Sequence, residues 1–157
     1  MARSIHEDYR SRAVADGKEG QGYAVTWEDL PEEVRESNRR AAEAIASSVE
    51  SIGCDIIPMT GWGRSTFEFT DDEVDTLAKR EHERWRAERE ADGWTYGAVR
   101  DNAGKRNPIL LPWDDLYESD RDDNRDAVRD MPAQLARAGF EIIRPQAGPG
   151  SGQPSPS

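Results

Sequence analysis

The sequence predicts a mainly α protein of the α+β class, built as a pseudo-two-fold pair of helical repeats with short strands or a hairpin. Three observations predict it: helical spacing of apolar residues, short strand-like runs after two glycines, and a 31-residue stretch that recurs later in the chain.

The elements follow in order. Ser4 with Glu7 and Thr70 with Glu73 fit the capping box, in which a hydroxyl and a carboxylate satisfy the free amides of a helix start. Helices are predicted from Ile5 to Asp16 and from Asp71 to Asp92, closed by Gly17 and Gly93. Two more are predicted from Leu30 to Ile52 and from Leu116 to Ala138, with Pro132 bending or restarting the second. Gly53 and Gly139 end them, and the runs Cys54 to Ile57 and Phe140 to Ile143 read as strands.

Trp27 to Ile57 aligns without a gap onto Trp113 to Ile143, with 11 identities in 31 positions. Composition alone would give about two or three. Among the identities are Trp27/Trp113, Arg35/Arg121, Asn38/Asn124, Gly53/Gly139, Ile56/Ile142 and Ile57/Ile143. Ahead of these, Ile5 to Gly17 aligns onto Glu81 to Gly93, matching His6/His82, Glu7/Glu83 and Arg10/Arg86, with Tyr9 opposite Trp85. The offset rises from 76 to 86 between the two blocks, so the second half carries ten extra residues within Trp94 to Pro112. Large residues on either side of Asn102-Ala103-Gly104 predict two short extended segments joined by a turn.

The chain has 157 residues, one domain's worth, and is expected to fold as a single domain over residues 1–144, with half-repeats at 5–57 and 77–143. Residues 145–157, PQAGPGSGQPSPS in one-letter code, hold nothing apolar larger than alanine and are predicted to be a disordered tail. No apolar run approaches the roughly 20 residues that span a bilayer, and MARSIHEDYR lacks a signal-peptide core, so a cytoplasmic protein without membrane contact is expected. A single cysteine, Cys54, excludes an internal disulfide, and the presence of only two histidines argues against a structural metal site. A formal net charge of −11 argues against nucleic-acid binding. It leaves room for a small anionic ligand beside a local arginine cluster.

EHERWRAEREADGWTYGAVRDNAGKRNPILLPWDDL, followed by the helix that ends at Ala138-Gly139-Phe140, resembles the ryanodine-receptor (RyR) repeat family. The resemblance covers Leu77 to Ile143, and the first half looks like a degenerate copy that lacks the extended loop. It implies a tandem-like pair of half-repeats, as in the large calcium-release channels and in small bacterial modules. It also implies an adenine nucleotide or cyclic-nucleotide-like ligand held between aromatic residues that match Tyr9 and Trp85, and it favours Arg89 and Arg100 as its phosphate contacts.

Residue chemistry permits that reading without requiring it. Ala78, His82, Trp85 and Arg89 share one helix face, as do His6, Tyr9 and Ala13. Across a two-fold axis Tyr9 and Trp85 could sandwich a flat ring, or they could fill the core between the halves. Arg86, Arg89, Arg100, Lys105 and Arg106 could hold phosphates, or Arg86 and Arg89 could pair with the glutamates between Glu81 and Glu90. The ligand-binding candidates are therefore Tyr9, Trp85, Arg89 and Arg100, with His82, Arg86, Trp94 and Tyr96 beside them. The pairs His6-Glu7 and His82-Glu83 diverge by about 100° on a helix and read as structural. No nucleophile elbow, phosphate loop or dinucleotide fingerprint is present. A binding module for a nucleotide-derived signal is expected, with no enzymatic role, no cofactor and no metal. The alternatives are a protein-interaction module and a nucleotide-signal hydrolase using His82 and Glu83.

Overall fold

In the computed structural model, residues 1–20, 23–61 and 65–146 are described. The predicted tail lies outside them from residue 147 onward. The first half consists of α1 (Ala2–Ala15), a 3-10 turn at Trp27–Asp29, α2 (Glu32–Ser51) and β1 (Asp55–Pro58). The second repeats that order as α3 (Asp71–Ala91), a 3-10 turn at Trp113–Asp115, α4 (Glu118–Arg137) and β4 (Phe140–Ile143). Between α3 and the second turn, the insertion adds β2 (Thr95–Tyr96) and β3 (Arg106–Asn107). The mainly α, α+β class is as predicted.

The halves join through an antiparallel β1–β4 ladder in which Ile56 stands opposite Ile142. Helices follow the same exchange: α1 packs on α2 and α4, and α3 packs on α4 and α2. One core cluster, Val74, Leu77, Ala78, Trp113, Leu116 and Val128, lies between α3 and α4. The other, Val49, Cys54, Leu135 and Ile142, lies beneath the ladder, and Ile52 and Phe69 pack against both. Cys54 is thus a core residue, and its burial pushes the thiol above its ordinary range. Among the described residues no helix is long and apolar enough to cross a membrane.

The capping box at Thr70 forms as predicted: Glu73 N–H donates to the Thr70 hydroxyl at 3.2 Å, and Thr70 N–H donates to the Glu73 carboxylate at 2.8 Å. Its expected partner at Ser4 does not form. Helix α1 already begins at Ala2, so Ser4 lies within the first turn. The Glu7 carboxylate is instead taken by Arg10 and by the Trp27 amide, donors that compete well with a helix-end amide. Pro132 does not restart α4, which runs on through it with the ring buried. The insertion also differs from a simple hairpin. β2 and β3 pair in parallel, and antiparallel pairing is limited to one bridge, Asp101 to Arg106. The turn inside that bridge is fixed by Gly104 N–H donating to the Asp101 carboxylate at 3.0 Å.

Candidate functional site

The recurring His-Glu-Arg triplet sets the frame of each half. His82 is 2% exposed, and its Nε2 lies 2.7 Å from the Leu111 carbonyl. His6 repeats this toward Val25 at 2.8 Å. The neighbouring carboxylates reach the following turns: Trp113 N–H donates to Glu83 at 3.0 Å, and Trp27 N–H to Glu7 at 3.1 Å. Arg86 and Arg10 then pair with those glutamates at 3.0 and 2.9 Å. The Arg10 hydrogen bond chiefly holds the Glu7 carboxyl below its ordinary range, and the Trp27 amide adds to it. Adjacent residues on a helix point apart, so histidine and glutamate each take a separate backbone group and tie the descending chain to the helix. They do not converge on one proton or ion.

Above His82, a cavity of about 730 Å³ opens between α3, α4 and the insertion. Trp85 and Arg89 line it from α3, Trp94 and Arg100 from the insertion, and Asn124 from α4. The Arg89 guanidinium lies 6.0 Å from the Trp85 ring centroid and 5.6 Å from that of Trp94. It sits over both indoles, within cation–π range. Neither Arg89 nor Arg100 has a carboxylate within ion-pair distance among the described residues, although twelve other arginines do. The one carboxylate on the wall, Glu81, is already held by Arg84 at 2.6 Å. In a chain of net charge −11, the cavity is therefore locally cationic.

The predicted site residues divide. His82, Trp85, Arg89, Trp94 and Arg100 come together here. Arg86 does not line the cavity, because it is spent on Glu83 and Glu90. Tyr96 stands half exposed on β2 outside the lining. Tyr9 is the main departure. It lines a separate cavity of about 360 Å³ between α1 and α2, so it does not face Trp85 across the halves. The cause is topological: the main packing partners of α1 and α3 are α2 and α4, and the exchange that relates the halves gives each helix its own recess.

Three asparagines escaped the sequence reading. Asn102, Asn107 and Asn124 all line the cavity. Asn107 is buried and accepts the Ile109 amide at 3.0 Å, and Asn124 donates to the Asp120 carbonyl at 2.8 Å. Asn124 had a signal, its identity with Asn38 in the repeat, but it is set in a run of aspartates and arginines that reads as a solvated face.

The family model of the RyR domain matches residues 68–144, which span α3, the insertion, the second 3-10 turn, α4 and β4. Residues 68–144 are thus an RyR domain. The match begins just before the Thr70 cap of this RyR domain and takes in the whole lining of the larger cavity.

Proposed function

We propose that this protein is a ligand-sensing module, and that its second half, the RyR domain, binds a nucleotide or nucleotide-derived anion. The observation that carries the reading is the Arg89 guanidinium stacked on Trp85 and Trp94, with Arg100 on the same wall and no carboxylate neutralising either among the described residues. Guanidinium groups bind phosphate bidentately, indole faces take flat rings, and side-chain amides read ring edges. A cavity of about 730 Å³ lies within the usual range for small-molecule sites. The ligand is held within one half and not between the two.

The RyR domain of the large receptors is a module of a longer assembly, and sensing without turnover suits that use. Hydrolysis is disfavoured because His82 Nε2 serves Leu111 and Glu83 serves Trp113 and Arg86, so neither is placed to move a proton in the cavity. A protein-binding role is the second reading, favoured by Tyr96 and Val99, which stand exposed on the insertion.

Thermal melting with AMP, cyclic AMP and cyclic dinucleotides tests the proposal. A binder at 100 times its Kd adds about 2.7 kcal/mol. The Arg89→Ala variant should fold and lose that shift. No shift with any of these compounds, or a shift that survives both Arg89→Ala and Arg100→Ala, overturns it.

A further inference from the structure

The two cavities are not unrelated recesses. Under the repeat alignment, Ile5, His6 and Tyr9 of the smaller one correspond to Glu81, His82 and Trp85 of the larger, and Asn38 corresponds to Asn124. Both therefore lie over the same buried histidine and against the same asparagine, once in each half. Their linings have diverged in chemistry. Ala13 stands where the larger cavity has Arg89, and Ile5 where it has Glu81. Val34, Ala41, Ala42 and Ile45 of α2 add apolar wall to the smaller cavity, and Gln134 of α4 brings a second side-chain amide to it. Its one cation, Arg12, is paired with Asp8 at 3.1 Å.

Two features show what such a lining would accept. The partly buried Asn38 side chain makes no hydrogen bond among the described residues, whereas its counterpart Asn124 donates to Asp120. A free amide beside apolar walls favours a partner with a matching donor and acceptor edge. Tyr9 and Tyr23 line the same cavity and remain 47% and 56% exposed, so two aromatic rings stand at its mouth. Aromatic faces at an uncharged recess favour a flat ring.

We propose that the first half carries a second ligand site, specific for a small uncharged ring compound with an amide-like edge and filled independently of the arginine cavity. With Ala13 where the other recess has Arg89, this recess suits a neutral ligand and its counterpart an anionic one. The volume of about 360 Å³ suits a one- or two-ring molecule.

Benzamide, a neutral ring with one amide, is the probe, titrated into the whole chain and followed by amide NMR. Shifts confined to Tyr9, Asn38, Ala41 and Ala42 are expected. Ala41 is exposed on α2, so Ala41→Phe should fold normally while filling the recess, and binding should weaken by about tenfold or more. Its repeat counterpart Ala127→Phe, which lies outside both cavities, should bind benzamide as the parent does. Arg89→Ala should also leave benzamide binding intact, which separates this site from the nucleotide proposal. The inference is overturned by an absence of shifts in the first half, or by equal binding in folded Ala41→Phe, which melting and circular dichroism would verify. Shifts that move instead to Trp94 and Arg100 overturn it too.

Discussion

Ile56 stands opposite Ile142 at the centre of the β1–β4 ladder, and the same two residues are equivalents in the internal repeat. A residue paired with its own repeat counterpart marks the point where a two-fold axis crosses a ladder. The flanking pairs obey it: Asp55 opposite Ile143 and Ile57 opposite Glu141 exchange under the same operation. The duplication thus fixes the strand register, because a shift by one residue would turn the apolar set of each strand away from the core.

The axis is not matched by equal burial. Ile142 is 3% exposed and belongs to the core beneath the ladder, whereas Ile56 only packs against that cluster's margin. Ile142→Ala should cost about 2–5 kcal/mol, the range for emptying a well-packed site, and Ile56→Ala less than half as much. Urea denaturation of the two variants checks this. Equal losses would mean that the ladder, and not the core below it, sets the energy.

How much of this was legible depends on the range of the cause. The four helix-ending glycines were legible because a left-handed residue is a local demand, met here by φ of +72°, +74°, +86° and +88° at Gly17, Gly53, Gly93 and Gly139. Helix order and the two strands were legible from periodicity and from the repeat. Ser4 misled because a hydroxyl three residues before a glutamate looks the same whether or not that glutamate is claimed from elsewhere, and Trp27 lies 20 residues on. The relation of Tyr9 to Trp85 failed for a different reason. A repeat shows that two residues are equivalent, but an axis can bring equivalents together, as it does Ile56 and Ile142, or hold them apart in separate recesses. Which of these occurs depends on how far each residue lies from the axis, and an alignment carries no distance.

Stability should depend on acid pH through Glu73. Its carboxylate accepts from the two terminal guanidinium nitrogens of Arg144, each at 2.7 Å, and from the Thr70 amide at 2.8 Å, and the Arg144 hydrogen bond first, then the amide, lower its pKa from 4.5 to about 2. A lowered folded-state value means that this contribution is complete above about pH 4.5 and drains away as pH falls toward 2. The pair links the cap of α3 to the end of β4, and since Arg144 is partly exposed its contribution should shrink with added salt. Urea midpoints for the parent and Arg144→Met across this window provide the check. The variant should show the shallower acid loss, and parallel curves would assign that loss to other carboxylates.

The insertion should be separable from the rest of the fold through Gly97. A Cβ at this position would stand 2.8 Å from Arg106 Cβ and 3.1 Å from its Cδ. The Cβ of Arg106 is fixed by the β3 backbone and has no rotamer that removes it, so β2 and β3 must part to admit even one methyl group. Thr95 N–H donates to the Lys105 carbonyl at 2.9 Å across this junction, and the neighbouring Trp94 and Asn107 both line the arginine cavity. Gly97→Ala is therefore expected to cost about 1–3 kcal/mol, to abolish hydrogen-exchange protection at Thr95, and to weaken any anion held by Arg89 and Arg100. Protection in α4 and β4 should persist, because the two main clusters draw no residue from β2 or β3. Gly61→Ala, where a Cβ would meet nothing within 4 Å, serves as the matched control and should leave all three readouts unchanged. Loss of protection throughout α3 and α4 would show instead that the insertion is needed to hold the second half together.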